Sequence, residues 1–432
     1  MTRSPAAEPC DILVVGGGPA GCTAAALLAE RGRDVVVLEK AQHPRFHIGE
    51  SLLPRNTAIF DRLGISAEVA ALGVHKPGAE FVSDATGQQV RYAFVDGLDK
   101  VFTSSWQVPR AEFDALLFRT ATERGARVAE NTRVTEINFG VERSQVTAIG
   151  PDGALRHYAP RYVLDASGRD TLLAGKLGTR QANKRNNTAA LFAHYRGVAR
   201  RSGELEGFIS VHLAEDGWFW LIPLPDDVMS VGFVGNQAAF KGRQGTPEQL
   251  FNARLAASPS VSARMTGAER LGSVTSTGNF SYAASRSWGE GWAMIGDSFA
   301  FVDPVFSSGV LLAMTAGEMG AEVADTWLDN PAAGRARARR MERDLRHAMA
   351  RISWLIYRIN TPALRMLFLA PSNKLRMRDG LVSLLAGNLR GSRETLVPVL
   401  AFKTVYALMT LALRLGLPVG SPPARSSPQP AE

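Results

Sequence analysis

Cysteine is the scarcest reactive residue in this chain: Cys10 and Cys22 are the only two among 432 residues. Two thiols provide neither a disulfide framework nor metal-ligand spacing, so no metal site is expected and a reducing cytoplasm suits the protein. Cys22 reads as a small packing residue rather than a reactive thiol. The opening residues MTRSPAAEPC contain no long apolar region, so a signal peptide is not expected. Internal repeats are missing, and acidic residues thin out towards the end. Residues 331–432 hold 17 Lys/Arg against 5 Asp/Glu, a net of +12, which leaves −4 of the total +8 for residues 1–330. That split suggests a body with a basic appendage, suited to an acidic partner. The rest of the composition, 45% hydrophobic and 21% charged, is that of a globular protein with two or three domains.

What the chain does have is concentrated first in DILVVGGGPAGCTAAALLAERGRDVVVLEK, Asp11–Lys40. Ile12–Val15 is a short apolar run, fit for a strand buried on both faces. Gly16, Gly18 and Gly21 follow it as G-x-G-x-x-G, the Ala/Leu-rich run from Thr23 to Glu30 predicts a helix, and Asp34–Leu38 predicts a second strand ending on Glu39. The glycines have separate duties: a tight turn, room for a pyrophosphate against backbone, and close helix–strand packing. Unpaired N–H groups and the helix dipole favour an anion at that helix start, and Glu39 can accept from ribose hydroxyls. The stretch therefore predicts dinucleotide binding, with Gly16, Gly18, Ala20, Gly21 and Glu39 as cofactor contacts. No second strand–GxGxxG–helix unit occurs, so no separate NAD(P)H site is expected.

Beyond Glu39 the chain departs from a simple doubly wound pattern. PRFHIGESLLP reads as a polar loop leading to a helix through Leu63, and Lys76 in GVHKPGAEF precedes a Pro-Gly turn. Arg110 opens RAEFDALLFRTATERG, whose Phe113, Leu116, Leu117 and Ala121 keep helical spacing. YVLDASG, 162–168, is a buried strand expected to return to the nucleotide sheet. From about 185 to 285 the pattern is mostly β, with a helix near Pro247–Ala257. A strand at Trp292–Ile295 then leads to Gly296-Asp297, a loop, and a long helix starting near Gly309.

These motifs in order resemble the FAD fold of p-hydroxybenzoate-hydroxylase-type monooxygenases. Within that superfamily GESLLP, the lysine of GVHKPGAEF, WFWLIP and DPVFSSG together resemble flavin-dependent halogenases; Trp218, Trp220, Ile222 and Pro223 satisfy W-x-W-x-I-P. The resemblance covers roughly residues 10–330 and is nearest to the phenol/pyrrole branch. It implies an α/β, Rossmann-like FAD-binding body over 1–330. A β-rich substrate cover would be inserted at about 185–285, with a basic helical region at 331–432 and a disordered end from about 420.

The same resemblance implies an enzyme that uses reduced FAD, O2 and chloride or bromide to form hypohalous acid. Lys76 would pass electrophilic halogen to an aromatic ring, behind a wall of Trp218 and Trp220. Backbone N–H groups of Ser308 and Gly309 would hold the halide, Asp297 beside Gly296 would accept from cofactor hydroxyls, and Arg110 would approach the cofactor's polar edge. Tryptophan halogenases carry a glutamate where this chain has Phe306, which favours a phenolic or pyrrolic ring, free or on a carrier protein. A separate flavin reductase is the implied partner, and nucleic acid is not. The alternatives are an FAD-dependent aromatic hydroxylase, a geranylgeranyl-reductase-like oxidoreductase, and a flavoprotein without catalysis.

Two features lie in the basic region. Arg335, Arg337, Arg339, Arg340, Arg343 and Arg346 predict an exposed helix, either a solvated face or a surface for an acidic carrier protein. PVLAFKTVYALMTLALRLGLP, 398–418, is apolar but shorter than a comfortable span between its prolines. It is expected to pack on the body or lie at a membrane interface rather than cross.

Overall fold

The computed structural model describes residues 7–183, 188–240, 245–278 and 281–418; the end expected to be disordered from about 420 lies outside them. The fold is α/β: an FAD-binding-type nucleotide sheet, a second large sheet beside it, and a helical C-terminal region.

In the first sheet Glu8–Val15 runs parallel to Val35–Leu38 on one side and to Leu155–Asp165 on the other, with Ile12 opposite both Val35 and Tyr162. Trp292–Met294 adds a further parallel strand on Leu155–Asp165, so the late strand returns to the sheet that the first one founds. Val35–Leu38 is buried on every residue, as an unalternating apolar run requires between helix layers. The helices Pro19–Ala29 and Gly309–Asp329 pack on each other, and both begin beside the carboxyl ends of these strands.

The cover sheet has seven strands in the order Glu269–Gly278, Thr188–Arg196, Val228–Asn236, Gly217–Pro223, Ile209–Leu213, Gly78–Ser83 and Gln89–Ala93. Its last two strands come from outside the 185–285 segment, joined through a parallel pairing of Ile209–Leu213 with Gly78–Ser83. The helix expected near Pro247–Ala257 spans those residues, started by a Thr246/Gln249 capping box with Pro247 in its first turn.

The C-terminal region is helical but is no appendage. Helices Pro331–Ile356, Pro362–Leu369, Met377–Leu385 and Arg393–Arg414 bury Ile352, Leu364, Phe368 and Leu381 in one cluster with Phe81, Tyr92, Trp218 and Trp220 of the cover sheet. Phe368 meets Phe81 edge-on at 4.6 Å, and the Tyr92 hydroxyl donates to the Phe368 carbonyl. Five of the six clustered arginines are matched within the chain: Arg335 to Glu290, Arg337 to Glu322, Arg340 and Arg343 to Asp344, and Arg346 to Glu342. Arg339 lies over the Trp288 ring, and Arg346 also donates to the carbonyls of Ala284 and Ser285. The net charge of the region therefore overstates the charge this helix offers a partner. The apolar segment also differs from its expected limits: its helix starts at Arg393 and runs through Pro398 to Arg414.

Candidate active site

A cavity of ≈ 370 Å³ opens where the two sheets meet, lined by Gly16, Gly18, Ala20, Glu39, Arg110, Asp297, Trp218, Trp220 and Gly309 among others. Residues far apart in sequence thus line one cavity.

Gly16 has φ +105°, and a Cβ there would lie 2.4 Å from the Ala166 carbonyl oxygen, so the turn requires glycine. Gly18 is the N-cap of Pro19–Ala29, and no side chain caps that helix, so its first N–H groups stay available to an anion. A Cβ on Gly18 would meet only Arg45 Nη2, at 3.8 Å. Arg45 also lines the cavity, near Glu39 at 3.6 Å and Asp114 at 3.7 Å, and its Nε has no partner among the described residues. An uncapped helix start, a missing side chain and a guanidinium with a spare donor suit a pyrophosphate. Glu39 is buried and accepts from the N–H of Gly17 at 2.7 Å and of Ala41 at 2.9 Å, which fixes its carboxylate at the cavity edge.

Arg110 lines the cavity but spends most of its donors on the protein. Nε and Nη2 clamp Asp114 at 2.9 Å each and Nη1 donates to the Ile48 carbonyl at 2.7 Å, which leaves at most two N–H bonds for a ligand. Asp297 faces the cavity; burial pushes its carboxyl up to about 6, against the pull of Arg110 and Arg169. Gly21 and Gly296, expected as cofactor contacts, stand one layer behind. A Cβ on Gly21 would be 2.0 Å from the Gly16 carbonyl oxygen and one on Gly296 2.9 Å from Ala20 Cβ, so both serve close packing. Cys22 is likewise structural: buried, with its thiol 3.1 Å from the Gly17 carbonyl oxygen and pushed up by burial.

On the opposite wall Trp218 and Trp220 share one face of Gly217–Pro223, with ring centroids 5.9 Å apart, while Phe219 packs into a different cluster. Trp220 Nε1 donates to Ser230 at 3.1 Å, and its ring lies flat on Gly232, where a Cβ would come within 2.1 Å. The wall is rigid for that reason. Ser307, at φ +57°, turns the chain into the helix Gly309–Asp329; among the described residues no side chain caps its start, and the buried Ser308 hydroxyl has no partner.

Lys76 is neither in a turn nor in the large cavity. It ends the strand Val74–Lys76, opposite Ser105, and the next strand, Gly78–Ser83, belongs to another sheet. At 1% exposure its Nζ donates to the Leu52 carbonyl at 2.8 Å and stands 5.4 Å from the Phe94 ring centre. Burial alone pushes the ammonium down to about 7, and no carboxylate pairs with it among the described residues.

A pair that sequence reading passed over lies beside the cavity: Glu50, in GESLLP, and His194 Nε2 are 2.5 Å apart. Ala190 and Phe192 line the cavity, and period two would have put His194 on that same strand face. Burial pushes the His194 imidazole down, but the bond and charge of Glu50, with Glu112, outweigh it and raise the group above its ordinary 6.5. The stability this supplies is full below 6.5 and lost as pH rises through the folded value. Glu50→Gln keeps the shape and removes the charge, so burial should then outweigh the remaining charge of Glu112 and His194 should titrate below 6.5. Histidine NMR titration reads this directly; an unmoved curve would assign the shift elsewhere.

Residues 9–314 match the FAD binding domain family. The chain is 36% identical over 320 residues to a tryptophan 2-halogenase of Chondromyces crocatus, which aligns 70% of this chain but 58% of that protein. It thus spans under two-thirds of the length of that relative. It is 32% identical over 328 residues to a 1H-pyrrole-2-carbonyl-(peptidyl-carrier protein) brominase of Pseudoalteromonas luteoviolacea, covering 74% of this chain and 78% of that one. Among solved structures, a flavoprotein/dehydrogenase from Cytophaga hutchinsonii superposes with a TM-score of 0.84 at 28% identity, over 94% of this chain and 100% of that one.

Proposed function

The chain belongs to the FAD-binding flavin-dependent halogenases, and from that membership we propose that it halogenates an electron-rich aromatic ring. The observation that carries the reading is Lys76: a buried amine with no carboxylate beside it among the described residues, held by one backbone carbonyl near the Phe94 ring.

FAD, supplied reduced, provides together with O2 and chloride or bromide the hypohalous acid on which the reaction depends. The protein's part begins with anion handling. Backbone N–H groups of Ser308 and Gly309, at an uncapped helix start, hold the halide. Gly16, Gly18, Ala20, Glu39, Arg45, Arg110 and Asp297 hold the cofactor, with Gly21 and Gly296 setting the layer beneath. Trp218 and Trp220 keep the organic substrate from the flavin side, which disfavours hydroxylation. Lys76 then meets the oxidant. With its amine pushed down to about 7, a large neutral fraction exists at physiological pH. That amine either hydrogen-bonds the hypohalous acid or exchanges one N–H for N–X and releases water. In both cases X⁺ passes to a ring carbon, and the ring gives up its proton.

Phe306 packs with Phe81 and Phe368 where a carboxylate would help a weakly activated ring, which supports a phenolic or pyrrolic substrate. The tryptophan 2-halogenase likeness keeps indole in the test. A carrier-bound ring is the arrangement named for the pyrrole brominase relative. The cytoplasm, with its flavin reductases, is the matching compartment. The deciding experiment supplies the purified protein with FAD, NADH and halide, with and without a flavin reductase, over phenol, pyrrole, indole and carrier-tethered panels. Halogen isotope patterns should appear only with reductase, and on phenols or pyrroles well ahead of tryptophan. Hydroxylated products, or turnover with NADH alone, would turn the reading to the hydroxylase or reductase alternatives; tryptophan as the best substrate would overturn the ring assignment.

A further inference from the structure

The helix Arg393–Arg414 is apolar on two opposite sides and uses only one of them. Thr395, Pro398 and Phe402 are buried, and Trp354 meets Phe402 and Tyr406 edge-on from the body. On the opposite side Leu396, Leu400 and Leu411, spaced to share one helix face, are 60%, 60% and 54% exposed, and Val397 and Leu408 widen the stripe. Leu415 and Leu417 continue it, and the turn 374–376, which packs on this helix, adds Leu375 at 70% exposure. A leucine surface of this kind is unusual on a body whose other helices bury their apolar faces.

The charges say what could cover it. Arg393 and Arg414 stand exposed at the two ends, roughly 30 Å apart by helix rise. After Glu394 no acidic residue occurs through residue 418. Lys403, at mid-helix, folds back with its Nζ 5.0 Å from the Trp354 ring centre, so that exposed Thr404, whose hydroxyl donates to the Leu400 carbonyl, is the polar break in the leucine stripe. A second copy fits badly. Paired head to tail the stripes would set Arg393 against Arg414, with Glu394 the one acid of the helix near that end, and paired in register each arginine against itself. The helix is long and apolar enough to cross a bilayer, but crossing would break the contacts of Phe402 and Tyr406 with Trp354 on its opposite side. An anionic lipid surface satisfies both features at once: hydrocarbon for the leucines, headgroups for the terminal arginines.

We propose that this helix docks the protein, lying in the plane, on an anionic bilayer surface. The inference stands apart from the halogenase reading, since it concerns a surface that touches neither the cavity nor Lys76, and its test needs no turnover. The full-length protein is floated with phosphatidylcholine vesicles and with vesicles containing about one-third phosphatidylglycerol. Binding to the anionic vesicles should be at least tenfold stronger and should weaken with salt. Leu400→Asp with Leu411→Asp should lose it while keeping the melting temperature and FAD binding, because neither side chain is packed. Arg393→Gln with Arg414→Gln should lose only the preference for anionic lipid. No flotation, equal flotation of the double Asp variant, or no lipid preference overturns the proposal. A concentration-dependent dimer that disappears in the double Asp variant, with no vesicle binding, would assign the stripe to a second copy instead.

Discussion

Lys76→Met is expected to end product formation and, at neutral pH, to make the protein more stable. Both effects follow from one buried nitrogen. In the unfolded chain the lysine titrates at its ordinary 10.5, whereas burial in the fold pushes it down to about 7. Between those values the unfolded state holds a proton that the folded state lacks, so folding becomes less favourable as pH falls from 10.5, and the penalty is complete below about 7. A fall from 10.5 to about 7 corresponds to roughly 5 kcal/mol. Methionine removes that penalty and fills similar volume, but it leaves the Leu52 carbonyl without its donor, a loss of about 1–3 kcal/mol. The net gain at pH 7 should be on the order of 2–4 kcal/mol, and it should shrink towards zero, or reverse, near pH 10. Denaturant melts at pH 6, 8 and 10, paired with a product assay and an FAD titration, test each part. FAD affinity should be unchanged, because Lys76 lies outside the cavity wall. Product above about a hundredth of the wild-type level would remove the lysine from the mechanism. A stability difference that does not vary with pH would mean that the folded lysine keeps its ordinary pKa.

The reason such a lysine could not be read as buried shows where sequence reading stops. Lys-Pro-Gly carries the local marks of a turn, and a lysine in a turn belongs in water. In the fold Pro77 joins two strands of different sheets, and Gly78 is small because a Cβ there would meet the Tyr92 carbonyl oxygen at 2.3 Å. Close approach of distant strands, not turn chemistry, selects that glycine. The elements that were legible all have local signals: the glycine loop after an apolar strand, the amphipathic helix opened by Arg110, the Thr246-Pro247 start, and the Gly309 helix. Pairings across the chain had none. The parallel contact that recruits Gly78–Ser83 to the cover sheet, the Glu50–His194 bond and the approach of Arg45 to Gly18 each join residues whose neighbours in sequence say nothing of the partner. The C-terminal region was legible as helical, but its packing on the body was not, for another reason. A charge tally counts arginines, while Ala338, Met341, Leu345 and Ile352 on the same helix carry the packing that makes the region part of the core.

Gly18→Val and Gly21→Ala, three residues apart, are expected to fail in opposite ways. Gly18 has φ −86° and extended ψ, a conformation open to any residue, and the space beside it is clear except for Arg45 Nη2 at 3.8 Å. The apoprotein should therefore fold with a near wild-type melting temperature. The valine methyls would instead occupy the volume between the loop and Arg45 that a pyrophosphate needs, and would mask the uncapped helix start. FAD affinity should drop by a factor of about 100 or more, roughly 3 kcal/mol. Gly21 is the reverse case. Its added Cβ would sit 2.0 Å from the Gly16 carbonyl oxygen and 3.2 Å from Ala166 Cβ, so the helix Pro19–Ala29 must lift off the strand it crosses. Overpacking of that kind costs about 1–3 kcal/mol and more when backbone is the obstacle, so the melting temperature should fall before any cofactor is added. Flavin fluorescence titration and thermal melts of the two apoproteins separate the cases. If Gly18→Val binds FAD as tightly as wild type, the loop is not where the pyrophosphate lies; if Gly21→Ala melts normally but binds FAD weakly, that glycine faces the cofactor after all and the layer assignment is reversed.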